Sequence, residues 1–211
     1  MLSLNKIKKF VINLDSRTDR LSTFTKTFDP LEITRESAVV PTVTPELKKR
    51  IHPWNFANLS EKKLLGVVGC CMSHLALWRK IRKMKCDYVF VFEDDCAFIN
   101  EMVKENFETL FSELKLPSDF EIIWLNGEVS DVPGKQINPP FTVVPHPGCK
   151  TTESYIITPS FADQLYHSIK NNIGAVDAHM DQHIKAKKSR SYKVTPPFFC
   201  QCNRKDTDIQ F

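Results

Sequence analysis

No apolar run in the 211-residue chain approaches the ~20 residues that a membrane-spanning helix needs, so no transmembrane segment is expected. The opening residues, Met1-Leu2-Ser3-Leu4-Asn5-Lys6, lack the apolar core and small-residue cleavage site of a secretory signal. Seven cysteines, odd in number and irregular in spacing, do not make a secreted disulfide framework. Cys200-Gln201-Cys202 is too tight for a zinc knuckle, and no second pair answers it. Reduced thiols in a cytoplasmic setting are therefore expected, with attachment to a membrane surface left open. Basic residues form no nucleic-acid-binding patch. The net charge is only +4, and the one dense run, Lys185-Ala186-Lys187-Lys188-Ser189-Arg190, suits the solvated end of a helix. No nucleic-acid partner is expected. Internal repeats, low-complexity segments, a Walker A loop and a dinucleotide glycine fingerprint are also absent.

What is present is the composition of a folded domain, 42% hydrophobic and 26% charged. A chain of this length fits one core, so residues 1–211 are expected to form a single domain. Lys8 to Leu14 reads as a buried first strand, followed by a helix through Leu21, Phe24 and Phe28 capped by Asp15 or Ser16. A short strand is expected over 33–40, then a proline-rich excursion to Asn58 with a helical turn or two around Glu46 to Ile51. Gly66-Val67-Val68-Gly69 reads as the opening of a helix to about Lys85, with an apolar stripe of Cys71, Leu75, Trp78 and Ile81. Asp87 to Phe92 is a continuous apolar strand of the kind buried on both faces of a sheet.

Further along, the pattern predicts a helix over 101–114, a strand over 120–125 and a long loop over 127–149. A strand over 151–158 and helices over 159–170 and 176–187 follow. The last strand, 192–199, is interrupted by Pro196-Pro197. Strands alternating with helices imply an α/β fold with a central, mostly parallel sheet.

The strongest chemical signal is Glu93-Asp94-Asp95 at the C-terminal end of the apolar strand. Adjacent carboxylates repel one another, a divalent ion with oxygen ligands relieves that repulsion, and α/β sheets bind ligands at this edge. An acidic turn capping the next segment is the plainer alternative. Asn13, Asp15, Arg17, Asp19 and Arg20 crowd the exit of the first strand, where paired guanidinium groups suit a pyrophosphate and surface ion pairs are the alternative. Two glycines before a helix would permit close backbone approach by an anion. His74 beside the stripe reads as a hydrogen-bonded packing residue. Asp177 and Asp181, four apart beside Val176, Met180 and Ile184, could serve as a general base, whereas His179 and His183 face elsewhere and read as solvated. On residues alone, a metal-dependent phosphohydrolase and a catalytically silent nucleotide-sugar-binding partner stay open.

Taken in order, several blocks resemble glycosyltransferase family 25, which includes bacterial lipopolysaccharide galactosyltransferases and procollagen galactosyltransferases. They are Phe10-Val11-Ile12-Asn13-Leu14-Asp15-Ser16-Arg17-Thr18-Asp19-Arg20, Gly66 to His74, Val91-Phe92-Glu93-Asp94-Asp95, Thr152 to Thr158, Val176-Asp177 and Asp206-Thr207-Asp208-Ile209-Gln210. The resemblance implies a GT-A type, Rossmann-like nucleotide-sugar-binding fold. It also implies a UDP-hexose donor carrying galactose or glucose, a Mn²⁺ or Mg²⁺ ion, and inverting transfer to a hydroxyl of a glycan, lipid-linked sugar or hydroxylated peptide. Carried over residue by residue, Asp95 with Glu93 holds the metal and Asp94 sits beside them at the diphosphate. Asn13, Leu14, Arg17 and Arg20 line the nucleotide, and Ser73 and His74 lie near the donor. Asp177 is the expected base, with Asp181 in reserve.

Overall fold

The computed structural model describes residues 4, 7–29, 31–127, 131–148 and 151–202, without the side chains of 54–56. In chain order the elements are β1 (Lys8–Asn13), α1 (Thr18–Phe28), β2 (Thr34–Ser37), α2 (Pro45–Lys48), α3 (Pro53–Asn58), α4 (Glu61–Ile81), β3 (Val89–Glu93), β4 (Cys96–Phe98) and α5 (Glu101–Glu113). They continue with β5 (Ile122–Trp124), β6 (Thr142–Pro145), β7 (Ser154–Ile157), α6 (Pro159–Ile169), α7 (Val176–Lys187), β8 (Ser191–Thr195) and β9 (Phe199–Gln201).

Seven strands form the central sheet in the order β2-β1-β3-β7-β5-β8-β6. Most run one way; β7 is antiparallel to both its neighbours, β3 and β5, and β6 is antiparallel to β8. The reversal of β7 matters for function. Its first residue, Ser154, pairs with Phe92, so the start of β7 lies at the same sheet edge as the end of β3. Side chains alternate across the sheet with period two. Val89 and Val91 enter the core shared with α4, α6 and α7, whereas Phe90 and Phe92 enter the one shared with α1 and α5. Helices thus cover both faces, as an α/β architecture requires.

The second core is aromatic. Phe28 packs against Phe24, Phe92, Phe98 and Phe199 with ring centroids 4.3–5.7 Å apart. Phe98 and Phe199 belong to the two-stranded ribbon β4-β9, which pins the residues just after Glu93-Asp94-Asp95 to the body of the sheet. Full burial of each such ring contributes about 1.5–3 kcal/mol. α4 is long and apolar enough to cross a membrane by length and composition, yet 61% of its most apolar window is buried inside the fold. Trp78 and Ile81 from its stripe are fully covered. Six described cysteines, Cys70, Cys71, Cys86, Cys96, Cys200 and Cys202, are free thiols.

Several expectations need correction. α4 begins five residues before Gly66 and ends at Ile81, so Gly66 and Gly69 lie inside a helix and not at its N-terminus. Gly69 does serve a close approach, but of the chain's own backbone: a Cβ there would lie 3.0 Å from the Val39 carbonyl oxygen. The N-cap of α1 is Arg17, because Asp15 is drawn away into an ion pair with Arg35 on β2. The expected loop over 127–149 contains β6, a partly exposed edge strand whose run is too short and proline-flanked to stand out. The closing strand is two elements, β8 and β9, divided at Pro196-Pro197. His179 and His183 are buried rather than solvated. His183 packs on Phe161, and the helices wrapped around α7 cover what the helix alone would expose. The block Asp206 to Gln210 lies outside the described residues.

Candidate active site

β3 leaves the core after Phe92 and delivers three consecutive carboxylates, each caught by a different part of the fold. Glu93 Oε1 accepts hydrogen bonds from His74 Nε2, at 3.2 Å, and from the Thr152 hydroxyl. Asp94 accepts from Asn13 Nδ2 at 2.6 Å and pairs with Arg20 at 2.5 Å. Asp95 Oδ2 pairs with Arg20 at 3.0 Å and accepts from Gln201 Nε2 at 2.8 Å. Asp95 Oδ1 is buried with no hydrogen-bond partner among the described residues. Asn13 is fully engaged, since it also donates to the Arg17 carbonyl and accepts from Arg35 Nε.

A buried chain of donors orients Glu93. Trp78 Nε1, which can only donate, lies 3.0 Å from the Tyr155 hydroxyl. The Tyr155 oxygen accepts that bond and directs its own proton to His74 Nδ1, 2.8 Å away. His74 then carries its proton on Nε2 and donates it to Glu93. This assignment satisfies every donor in the chain. Burial pushes the Glu93 carboxyl up, but the hydrogen bonds from His74 and Thr152 and the nearby Arg20 outweigh it and hold the group below its ordinary value.

Because β7 is reversed, it places Glu153 beside this turn. Glu153 is buried, and its Oε2 accepts from Asn126 Nδ2 at 3.0 Å. Burial, with the charges of Glu93 and Asp95, pushes its carboxyl up to about 8. Burial and Glu93 likewise push Asp95 up to about 6. Asp177, in the first turn of α7, is raised by burial and by the charge of Glu93. Arg20 brings its guanidinium to this cluster, pairing with both Asp94 and Asp95.

Two cavities flank the cluster. The smaller, about 380 Å³, is lined by Asn13, Leu14, Arg20, Ser73, His74 and all three acids of the turn. One wall is a small-residue face of α4, Gly66, Gly69, Cys70 and Ser73, spaced i, i+3, i+4 and i+7. Ser73 Oγ accepts from Val39 N at 2.8 Å, which fixes the segment forming the opposite lip. The larger cavity, about 650 Å³, is lined by Asp177, Asp181, Asn126 and Asp131 among others.

Most of the residues expected from sequence therefore meet at one edge of the sheet. Arg17 does not line the smaller cavity; it pairs with Asp19 at 3.1 Å. Asp181 lines the larger cavity but is neutralised by Lys185 at 2.6 Å. Glu153, Thr152, Tyr155 and Gln201 join the site without a sequence signal that assigns them a role there. Thr152 to Tyr155 fall inside a block that resembles the family, yet an isolated Glu at a strand start has no spacing signal of its own.

The donor set suits a hard divalent cation: a buried oxygen on Asp95 with no hydrogen-bond partner among the described residues, beside Glu93 and Asp94, with the Asp95 and Glu153 carboxyls raised first by burial and then by the charge of Glu93. Cys70, His74 and Glu93 also lie close enough that their ligand atoms fall within 4.8 Å of one another. The Nε2–H bond to Glu93 occupies the His74 nitrogen such a group would use.

The model of glycosyltransferase family 25 (LPS biosynthesis protein) matches residues 6–180, which takes in every residue of the cluster except Gln201. The chain belongs to glycosyltransferase family 25. Two curated relatives agree with that placement. A Haemophilus influenzae protein named "Putative glycosyltransferase" is 26% identical over 170 residues, covering 77% of this chain and 57% of the relative. Procollagen galactosyltransferase 2 of Mus musculus is 25% identical over 126 residues, covering 55% of this chain and 20% of the relative. The chain therefore spans little more than half of the first relative and a fifth of the second.

Proposed function

We propose that this chain transfers a hexose, galactose or glucose, from a UDP-sugar to an acceptor hydroxyl, with inversion and with a divalent metal. The observation that carries the reading is the convergence of Glu93, Asp94 and Asp95 with Arg20 over the smaller cavity. In this reading Asn13 and Leu14 flank the nucleotide, and Arg20 turns from the carboxylates toward the diphosphate. Asp95 and Glu93 would hold a Mn²⁺ or Mg²⁺ ion, which would supply positive charge to stabilise the departing diphosphate. The Tyr155–His74 chain keeps Glu93 ionised and oriented.

Asp177 is the base. It lies in the wall of the larger cavity, and burial and the charge of Glu93 raise its carboxyl. Its raised pKa favours proton uptake from an acceptor hydroxyl attacking the anomeric carbon from the face opposite the leaving group. The name of the mouse relative favours galactose. The acceptor in this reading is a hydroxyl of a glycan, a lipid-linked sugar or a hydroxylated peptide.

The test is a thermal-shift and calorimetric screen of UDP, UDP-galactose and UDP-glucose, each with and without Mn²⁺. Metal-dependent binding is expected in wild type and in Asp177→Asn, and is lost in Asp95→Ala. Saturating UDP ligands with Mn²⁺ that neither shift the melting temperature nor bind would overturn the donor assignment.

A further inference from the structure

We infer that the larger cavity is the acceptor site and that it takes a neutral saccharide of at least two rings, lying along α7 with its reacting hydroxyl at Asp177. The inference rests on the donor reading above and adds the acceptor's place, chemistry and length.

The first argument is position. Among the described residues, the larger and smaller cavities share no lining residue, yet they meet through one hydrogen-bonded wall: Asn126, in the larger, donates to the Glu153 carboxyl at 3.0 Å, the Glu153 carbonyl accepts from Glu93 N at 2.9 Å, and Thr152, next to Thr151 of the larger cavity, bonds the Glu93 carboxylate of the smaller. A group bound in the larger cavity is thus next to the acid turn without occupying the nucleotide's place.

The second argument is direction. Asp177, Asp181 and Lys185 are spaced i, i+4 and i+8, so they form one ridge of α7 along the cavity wall. At 1.5 Å per residue the ridge is about 12 Å long, which is more than one pyranose ring. The reacting end is the Asp177 end, and Lys185 marks the far end.

The third argument is charge. The wall holds three aspartates, Asp131, Asp177 and Asp181, against Lys185 and Lys193, and Asp181 and Lys185 already neutralise each other at 2.6 Å. Such a wall has no surplus of positive charge to recognise a phosphorylated or carboxylated acceptor. Carboxylates, the Asn126 amide and the Thr151 hydroxyl are instead hydrogen-bonding partners for hydroxyl groups, and Pro147 and Pro197 offer apolar surface for the C–H face of a sugar ring.

The fourth argument is that the wall is built. Side chains at Gly148 and Gly127 would overlap the carboxylates of Asp181 and Asp131. Each glycine lets a carboxylate lie flat against the backbone, and Lys135 clamps the buried Asp131. The two acids are held in place rather than left to swing in solvent.

The experiment uses the full chain with UDP and Mn²⁺. Saturation-transfer NMR is recorded with lactose, cellobiose and maltose, with galactose and glucose as single-ring probes and with hydroxylysine peptide and glucose 6-phosphate as alternatives. Transfer is followed by UDP release. Ala178→Phe and Thr195→Trp fill the cavity from two sides without touching the acid turn, and Lys185→Ala shortens the ridge on an exposed face. The expected result is a disaccharide signal in wild type, and a disaccharide KM raised about tenfold or more by both filling variants. Lys185→Ala weakens disaccharides while sparing single rings, and UDP affinity is unchanged throughout.

Intact UDP binding with disaccharide KM values unmoved by both filling variants would overturn the site. Binding of the peptide or the sugar phosphate in preference to every neutral disaccharide would overturn the ligand class. Equal effects of Lys185→Ala on one and two rings would overturn the length. Loss of UDP binding in wild type would instead be a failure of the donor reading.

Discussion

Replacing Tyr155 by phenylalanine removes one oxygen atom from a fully buried position and leaves the ring in place. The packing against Trp124 and His74 is kept, so the cost falls on hydrogen bonds. Two buried partners lose their bond: Trp78 Nε1, which can only donate, and His74 Nδ1. Leaving a buried polar group unsatisfied costs about 1–3 kcal/mol, so the lower limit for the pair is about 2 kcal/mol. For a chain of this size that is a fall in Tm of about 4–8 °C, measured by differential scanning calorimetry. A second readout addresses the relay itself. With the Tyr155 hydroxyl gone, Nδ1 loses its donor while the Glu93 carboxylate still holds the proton on Nε2, so the ¹⁵N shift of Nδ1 should move toward that of an unbonded ring nitrogen and that of Nε2 should stay in the protonated range. Trp78→Phe is the control, because it spares the Tyr155-to-His74 bond and so keeps the hydrogen-bonded Nδ1 shift. A Tm within about 1 °C of wild type, or a wild-type His74 protonated on Nδ1, would refute the reasoning.

Three further outcomes are expected. Glu153 has a folded pKa of about 8 against an ordinary value of 4.5, so between those values the folded state holds a proton that the unfolded state has released. Stability of the metal-free protein should therefore fall as pH rises from 4.5 to about 8, and Glu153→Gln should flatten that slope in denaturant titrations. Asp177→Asn should bind UDP with wild-type affinity while transfer falls about 10²–10⁴-fold in single-turnover assays; an undiminished rate would remove Asp177 from the role of base. Gly69→Leu should weaken UDP binding in calorimetry, because its side chain displaces the Val39 and Pro41 lip of the smaller cavity; unchanged affinity would show that the lip does not shape the site.

Several elements were legible because their evidence is local. The bounds of α7 follow from its apolar spacing and flanking residues, and the run before Glu93 could only be a strand covered on both faces. The acid turn was legible for the same reason: three charges in a row at the end of an apolar strand are conspicuous without any tertiary information. Gly66 and Gly69 show the opposite case. Glycines near a helix start suggest an anion loop, but here they clear one helical face for a cavity and for the backbone at Val39, which is 30 residues away from Gly69 in sequence. His179 and His183 look solvated on an isolated helix and are buried once α4 and α6 pack against α7.

By itself the sequence determined the class of fold, most strand and helix positions, the acid turn and the resemblance to a glycosyltransferase family, because hydrophobic period, helix breakers and runs of charge act over a few residues. Only the tertiary structure decided which groups meet. The reversed β7 brings Glu153 and Thr152 to the end of β3, and the β4-β9 ribbon brings Gln201 to Asp95. Tyr155 links Trp78 and His74 from about 80 residues away. Those contacts arise from strand order and direction, which are set by how two cores close over the sheet, and no local spacing encodes them.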